Sequence, residues 1–201
     1  MQQQKISIWP MLCLCIIGGS GIAQQTPEVK SFEATVKILQ AKRWVEADRQ
    51  PQKPKAMPQY DDENPTGFEF FRTFVEDEDL SYLDLERTFF NRSEISGSRF
   101  VAARMRESNL CWNDFYHTDF SKADLSGSDM RAAIFEHVKF IDTDLSKADL
   151  RQSSFEACDF SGALMKGTKL TRDQQKGMVL SAEQIAAIQW MDKAGEEPDG
   201  G

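Results

Sequence analysis

The chain has 201 residues, 40% of them hydrophobic and 28% charged, a balance that excludes both a disordered tail and a protein of many membrane spans. Asp and Glu outnumber Lys and Arg by 32 to 24, a net charge of -8, so the chain lacks the basic stripe of a general nucleic-acid binder. Two His and four Cys leave most catalytic and metal-binding constellations without raw material.

Residues 1–23 have the layout of a targeting segment. Lys5 supplies a positive charge, Ile6 to Ile17 is an apolar run interrupted by Pro10, and Gly18, Gly19, Ser20, Gly21, Ile22 and Ala23 end in a small-residue site. Cleavage is expected near Ala23, which makes the mature product secreted or periplasmic. The apolar run has about 12 residues against the roughly 20 that a transmembrane helix needs, so no stable membrane anchor is expected. Leu12 before Cys13 and Leu14 before Cys15 do not suit lipidation.

Residues 24–59 read as an N-terminal arm with net charge +3. Thr26, Pro27 and Glu28 resemble a cap, a first-turn proline and a first-turn acid. Val29, Phe32, Val36 and Leu39 then recur at helical spacing and predict a helix over about 27–48. Pro51, Pro54 and Pro58 mark a linker. Residues 60–79 hold eight acids against Arg72 alone and form an acidic connector, in which Phe68, Phe70, Phe71 and Phe74 are expected to close the N-terminal end of the segment from residue 80 onward.

From Leu85 to Leu170 every fifth residue is Leu, Phe, Ile or Met. A helical stripe would drift out of phase at 3.6 residues per turn. Two residues before most of these centres stands a small side chain, such as Ser93, Ser98, Ala103, Ser108, Ala123 and Ala148, which puts large and small side chains on one side of an extended chain. A second period is superposed on the first: Phe100, Phe120, Phe140 and Phe160 are 20 apart, as are Phe115, Phe135 and Phe155. Four fives per 20 residues describe a coil with four sides. Residues 80–170 then make four and a half coils stacked at about the 4.8 Å strand spacing, a rod roughly 20 Å long. Asn113 stands at a small inward position and must find hydrogen-bond partners there.

The stretches Ala123-Asp124-Leu125-Ser126-Gly127 and Ala148-Asp149-Leu150-Arg151-Gln152 resemble the pentapeptide-repeat family, whose pattern is A-D/N-L/F-x-x. The resemblance implies a mainly β fold, a right-handed quadrilateral β-helix, here with an N-terminal helical arm and a C-terminal capping helix. It implies little about activity, because family roles range from topoisomerase protection to secreted effectors.

A stack of coils exposes backbone at its ends. Residues 171–195 supply two capping boxes, Thr171 with Gln174 and Ser181 with Gln184, and Ile185, Ile188 and Met191 form the apolar stripe of a helix ending near Gly195. This helix is expected to close the last coil; the competing reading is a homodimer through it. Residues 196–201 are expected to be a disordered tail.

Candidate chemistry is sparse. No Ser/His/Asp order, phosphate loop or CxxC pair occurs, so neither an enzyme nor a cofactor is expected. Cys111 is expected to face out as a lone exposed thiol and Cys158 to face in. Cys111, Trp112, Tyr116 and His117, with Phe89 one coil below, form a candidate surface for an unidentified protein partner, packing against the arm being the alternative. His117 and His137 are 20 apart and should stack roughly 5 Å from each other, with Glu136 beside them, the minimum of a surface metal site. Two function classes remain: a secreted or periplasmic binding scaffold, and a DNA-mimicking topoisomerase-binding protein, for which a net charge of -2 over residues 80–170 is thin.

Overall fold

The computed structural model describes residues 28–60 and 66–191; the targeting segment and the tail lie outside the described residues. The fold is a β-solenoid of about 6 turns, with few and minor helices. Its short strands are β1 (Glu69–Phe71), β2 (Phe74–Glu76), β3 (Phe89–Asn91), β4 (Glu94–Ser96), β5 (Asp114–Tyr116), β6 (Ile134–Glu136), β7 (Ser154–Glu156), β8 (Lys169–Thr171) and β9 (Gln189–Met191). All pairs are parallel and offset by 20 residues: β2-β4-β5-β6-β7 form one sheet, and β1-β3 and β8-β9 form two pairs.

The five-residue period is explained by its corners. Two residues after each centre, from Arg72 to Gly167, the backbone adopts positive φ, so the chain turns there and the next centre points inward again. Most of these corners carry side chains other than Gly, against the usual preference. The strain is offset by the ladder on either side, as in Phe120 N to Lys139 O at 2.8 Å and Lys139 N to Thr118 O at 3.0 Å. Gly97 has a further reason to be Gly: a Cβ there would lie 2.2 Å from Asp77 Oδ1.

Inside, the Phe columns form stacks. Phe100, Phe120, Phe140 and Phe160 succeed one another at ring separations of 5.1, 5.7 and 5.0 Å, and Phe115, Phe135 and Phe155 at 5.1 and 5.3 Å. The small column is more than a space saver. Its hydroxyls donate to carbonyls of the coil below, as in Ser128 to Met105 O at 2.8 Å and Thr143 to Phe120 O at 2.7 Å. They also accept from backbone amides, as Ser153 does from Ala133 N at 3.1 Å. Asn113 does the same with an amide: its Oδ1 accepts from Ser93 N at 2.9 Å, and its Nδ2 donates to Leu110 O at 3.0 Å and to Phe90 O.

The solenoid is longer than its sequence period suggested, at both ends. Phe70, Val75 and Leu80 are buried centres in phase with Leu85, so the Phe-rich segment expected to be a cap is the first coil. The cap is α1 (Phe32–Ala41), which buries Phe32, Val36 and Leu39, with Phe32 set 4.9 Å from Phe68. This helix is shorter than the predicted 27–48. Ser31 caps it by accepting from Ala34 N at 3.2 Å, while the preceding chain is tied to the first coil through Lys30 N to Tyr82 O. Arg43, at φ 62, ends it in a Schellman turn: Arg43 N bonds Gln40 O and Trp44 N bonds Leu39 O.

At the other end the predicted helix to Gly195 is replaced by α2 (Ala182–Ala187) followed by β9, which puts Trp190 in register with Leu170. Ile188 and Met191 are buried as expected, but from an extended chain. The Ser181–Gln184 capping box is present. At the other expected box Thr171 N donates to Gln174 Oε1, ahead of a 3-10 turn over Gln174–Gly177. Both glutamines also reach the stack: Gln174 Nε2 donates to Leu150 O and Ser153 O, and Gln184 Nε2 to Phe160 O and Ala163 O. The cap residues thereby give Ser153 O and Ala163 O a donor and add a second one to Leu150 O and Phe160 O, which already accept from Ser153 N and Ala163 N. Among the described residues no helix is long and apolar enough to cross a membrane.

Candidate functional site

Outward positions differ in what covers them. The linker after α1 lies along the early coils and is pinned by charge. Lys53 Nζ sits 3.0 Å from Asp84 Oδ2 and 2.6 Å from Glu86 Oε2, and Arg104 and Arg106 reach the same two carboxylates at 3.2 Å. Asp84 and Glu86 are buried, at 3% and 5% exposure, so these are pairs shielded from solvent on one side. Burial would raise the Glu86 pKa, but hydrogen bonds from Lys53 and Arg106 outweigh it and hold the carboxyl below its ordinary value. Further along, Asn109 Nδ2 donates to Pro58 O at 3.0 Å, and Tyr60 stands edge-on to Trp112 at 5.6 Å.

This cover corrects one expectation. Cys111 points outward from the coil yet is 3% exposed, with its thiol 3.7 Å from Asp129 O. Burial first, then the Asp129 charge, pushes it up to about 12, so it is an inert buried thiol and not an exposed one. Phe89 is likewise buried, its ring 6.4 Å from that of Phe71. Cys158 faces in and is half-buried, with its thiol directed at Phe135 O and Glu156 O.

Trp112 is half-exposed at the corner of the third coil, packed by the arm through Tyr60 on one side. Tyr116 and His117 lie across the next strand, on the open sheet and its far corner. Burial, then the neighbouring Asp114, Glu94 and Glu136 charges, raises the Tyr116 phenol. His117 and His137 stack at 4.8 Å with 4° between ring planes. Parallel rings direct their lone pairs side by side, whereas chelation of one ion needs them to converge at about 2.0–2.1 Å. Among the described residues no group of three or more His, Cys, Asp or Glu is arranged to hold a metal.

Among the described residues, the sheet β2-β4-β5-β6-β7 carries neither the arm nor an α-helix on its outer face, and it meets the 3-10 turn over Gln174–Gly177 only at β7. Its two outward columns are Phe74, Glu94, Asp114, Ile134, Ser154 and Glu76, Ser96, Tyr116, Glu136, Glu156. Five of these ten residues are carboxylates and none is basic, while Phe74 and Ile134 are 76% and 41% exposed. Between this sheet and the corner column Arg72, Arg92, Trp112 runs an open groove of about 590 Å³. The sequence reading missed Arg72, Phe74 and Arg92. The signal for Arg72 and Phe74 was the five-residue phase carried back through Leu80, Val75 and Phe70, and it is this extension that gives Arg92 a basic column neighbour.

Comparison with known families matches Pentapeptide repeats in eight copies, over residues 93–131 and 133–172. Two solved structures are similar, each with a TM-score of 0.50 over 52% of this chain. One is HetL, a pentapeptide repeat protein involved in heterocyst differentiation regulation from the cyanobacterium Nostoc, 22% identical, of which 44% is covered. The other is a pentapeptide repeat protein from the thylakoid lumen of Arabidopsis thaliana, 26% identical, of which 72% is covered. The chain thus spans less than half the length of the first. No curated protein matches the sequence.

Proposed function

The solenoid of this chain belongs to the pentapeptide-repeat family, and from that premise we propose that the protein is a non-enzymatic interaction scaffold that works outside the cytoplasm, secreted or periplasmic. The observation that carries the reading is the five-stranded sheet, whose outer face is uncovered among the described residues, set against an interior filled by stacked Phe and Leu. A filled interior leaves no enclosed space to surround a substrate. A sheet with exposed Phe74 and Ile134 and half-buried Tyr116 among carboxylates offers a partner both apolar anchors and charge. Family members are generally structural or interaction proteins. The export part rests on residues 1–23, and one of the similar structures is of a lumenal protein.

A photo-reactive residue at Ile134, in the centre of the open sheet, should cross-link a discrete protein in cells, and one at Cys111, under the arm, should not. No adduct from positions 74, 134 or 154 overturns the scaffold. N-terminal sequencing of the mature chain should begin at Gln24; an intact Met1 overturns export.

One observation favours the second reading, a DNA-mimicking topoisomerase-binding protein: the five carboxylates of the open sheet. Against it stand the apolar side chains among them and the neighbouring column Asp79, Arg99, Asp119, Lys139, Asp159, which alternates in sign. Inhibition of gyrase supercoiling at micromolar protein would reverse the order of the two.

A further inference from the structure

The groove at the edge of the open sheet has walls of opposite character. One wall is the corner column Arg72, Arg92, Trp112, whose positive φ turns each side chain outward. The other is the strand column Phe74, Glu94, Asp114, held in register by the parallel ladder. Thr73 and Ser93 form the floor, and Thr73 N is already satisfied by Ser93 Oγ at 3.0 Å.

Four charges line this groove, and among the described residues none of them has an ion-pair partner. The reason for the cations is geometric. Arg92 lies over the rings of Tyr60 and Trp112, at 5.5 and 5.3 Å, and Arg72 over Phe71 at 5.3 Å, so both guanidiniums are drawn away from the acidic wall. An arginine stacked on a ring keeps its edge N–H donors free for a carboxylate. The acidic wall faces the cations without touching them, and Asp114 is partly desolvated, which raises its pKa.

We propose that this groove binds an extended peptide segment of alternating charge, its acidic side chains on Arg72 and Arg92 and its basic side chains on Glu94 and Asp114. The assignment rests on the scaffold reading and names the partner chemistry at one edge of its open face. An extended chain sends successive side chains to opposite sides, so one strand of alternating Glu and Lys meets both walls at once. A uniformly acidic strand leaves Glu94 and Asp114 facing like charge, and a uniformly basic one does the same to the arginines. The groove spans three coils, about 10 Å at the rung spacing, which is about three rises of an extended chain and so seats the four alternating residues. Phe74 and Trp112, at opposite ends, are placed to hold the apolar stems of the flanking residues.

The test is nuclear magnetic resonance titration of the full chain with an acetylated, amidated hexapeptide of three Glu-Lys repeats. The signals followed are the Trp112 indole and the Arg72 and Arg92 Nε–H. The expected result is saturable shifts of all three below 2 mM, at least tenfold weaker in Arg72→Glu/Arg92→Glu and in Glu94→Lys/Asp114→Lys, and at least threefold weaker on raising salt from 20 to 300 mM. The substituted residues are surface ones, and an unchanged thermal midpoint confirms that each variant is folded. Equal binding of hexaglutamate or hexalysine overturns the alternating-charge assignment. A stronger response to trigalacturonate than to the peptide overturns the peptide in favour of an acidic glycan. No shift with any probe overturns the groove altogether, while the cross-linking at Ile134 tests the scaffold independently.

Discussion

Replacing Phe120 with Ala removes one rung from a continuous aromatic column. The ring is fully buried and touches three others: Phe100 at 5.1 Å, Phe140 at 5.7 Å, and Phe115 edge-on at 5.4 Å. Truncation of a buried Phe costs about 3–5 kcal/mol, the larger values arising where the surroundings cannot collapse into the cavity. Here they cannot, because the backbone ladder on either side of the ring sets the spacing of the coils. Two stacked partners and one perpendicular one add their own loss, about 0.5–1.5 kcal/mol for an aromatic pair. The expected cost is therefore at the upper end, about 4–5 kcal/mol. Lys122→Ala, two residues on at an exposed corner, should cost under about 0.5 kcal/mol. Equilibrium unfolding of the full chain in guanidinium measures both. A Phe120→Ala cost below about 1.5 kcal/mol, or one matched by Lys122→Ala, would refute the inward register and the rigidity argument together.

Asn113→Ala should cost about 2–3 kcal/mol in the same assay, because it strands Ser93 N and two carbonyls inside the coil, while Asn113→Ser should recover part of that by reproducing the hydroxyl pattern of the neighbouring coils. Alkylation of Cys111 by iodoacetamide at pH 8, followed by peptide mapping, should be at least tenfold slower in the native chain than in the unfolded one, since a thiol pushed up to about 12 holds almost no thiolate. Glu86 is held below its ordinary 4.5 by Lys53 and Arg106, against the opposing effect of burial, so its clamp on the arm is complete above that pH and is lost as pH falls through the lower folded value. Hydrogen exchange over residues 44–58, corrected for the intrinsic rate, should accelerate on acidification in that window, and Lys53→Ala should remove most of the pH dependence. Gln184→Ala should loosen the last coil first, with faster exchange at Gly167 and Gln189 than at Phe120, because it removes the side-chain ties of α2 to the carbonyls of Phe160 and Ala163.

The candidate surface is legible in the sequence only in part. Trp112, Tyr116 and the stacked His117 and His137 stand where the 20-residue register puts them. Cys111 escapes that logic because an outward position in a coil is not the same as an exposed one. The linker that covers it comes from about 50 residues earlier, and no local pattern announces where such a segment will lie. Arg72 and Phe74 are missed for the converse reason: Val75 is not one of the Leu, Phe, Ile and Met centres, so the period is read as beginning at Leu85, and Arg92, though inside the period, has no basic neighbour in its column until Arg72 is brought into register.

The coil, its four sides and the column each side chain occupies are properties of the primary structure alone. They arise from contacts between a residue and its counterparts 20 positions away, and such contacts recur often enough to be read as a period. Where the coils stop and what lies on them are settled by tertiary contacts made once. At the ends these are α1 over Phe68, and Trp190 brought into register with Leu170 although no repeat precedes it. On the sides it is the arm, which follows the buried carboxylates Asp84 and Glu86 and so, among the described residues, stays off the sheet from β2 to β7. A contact made once leaves no period to detect, and its energy depends on desolvation and shape that exist only after the coils have stacked.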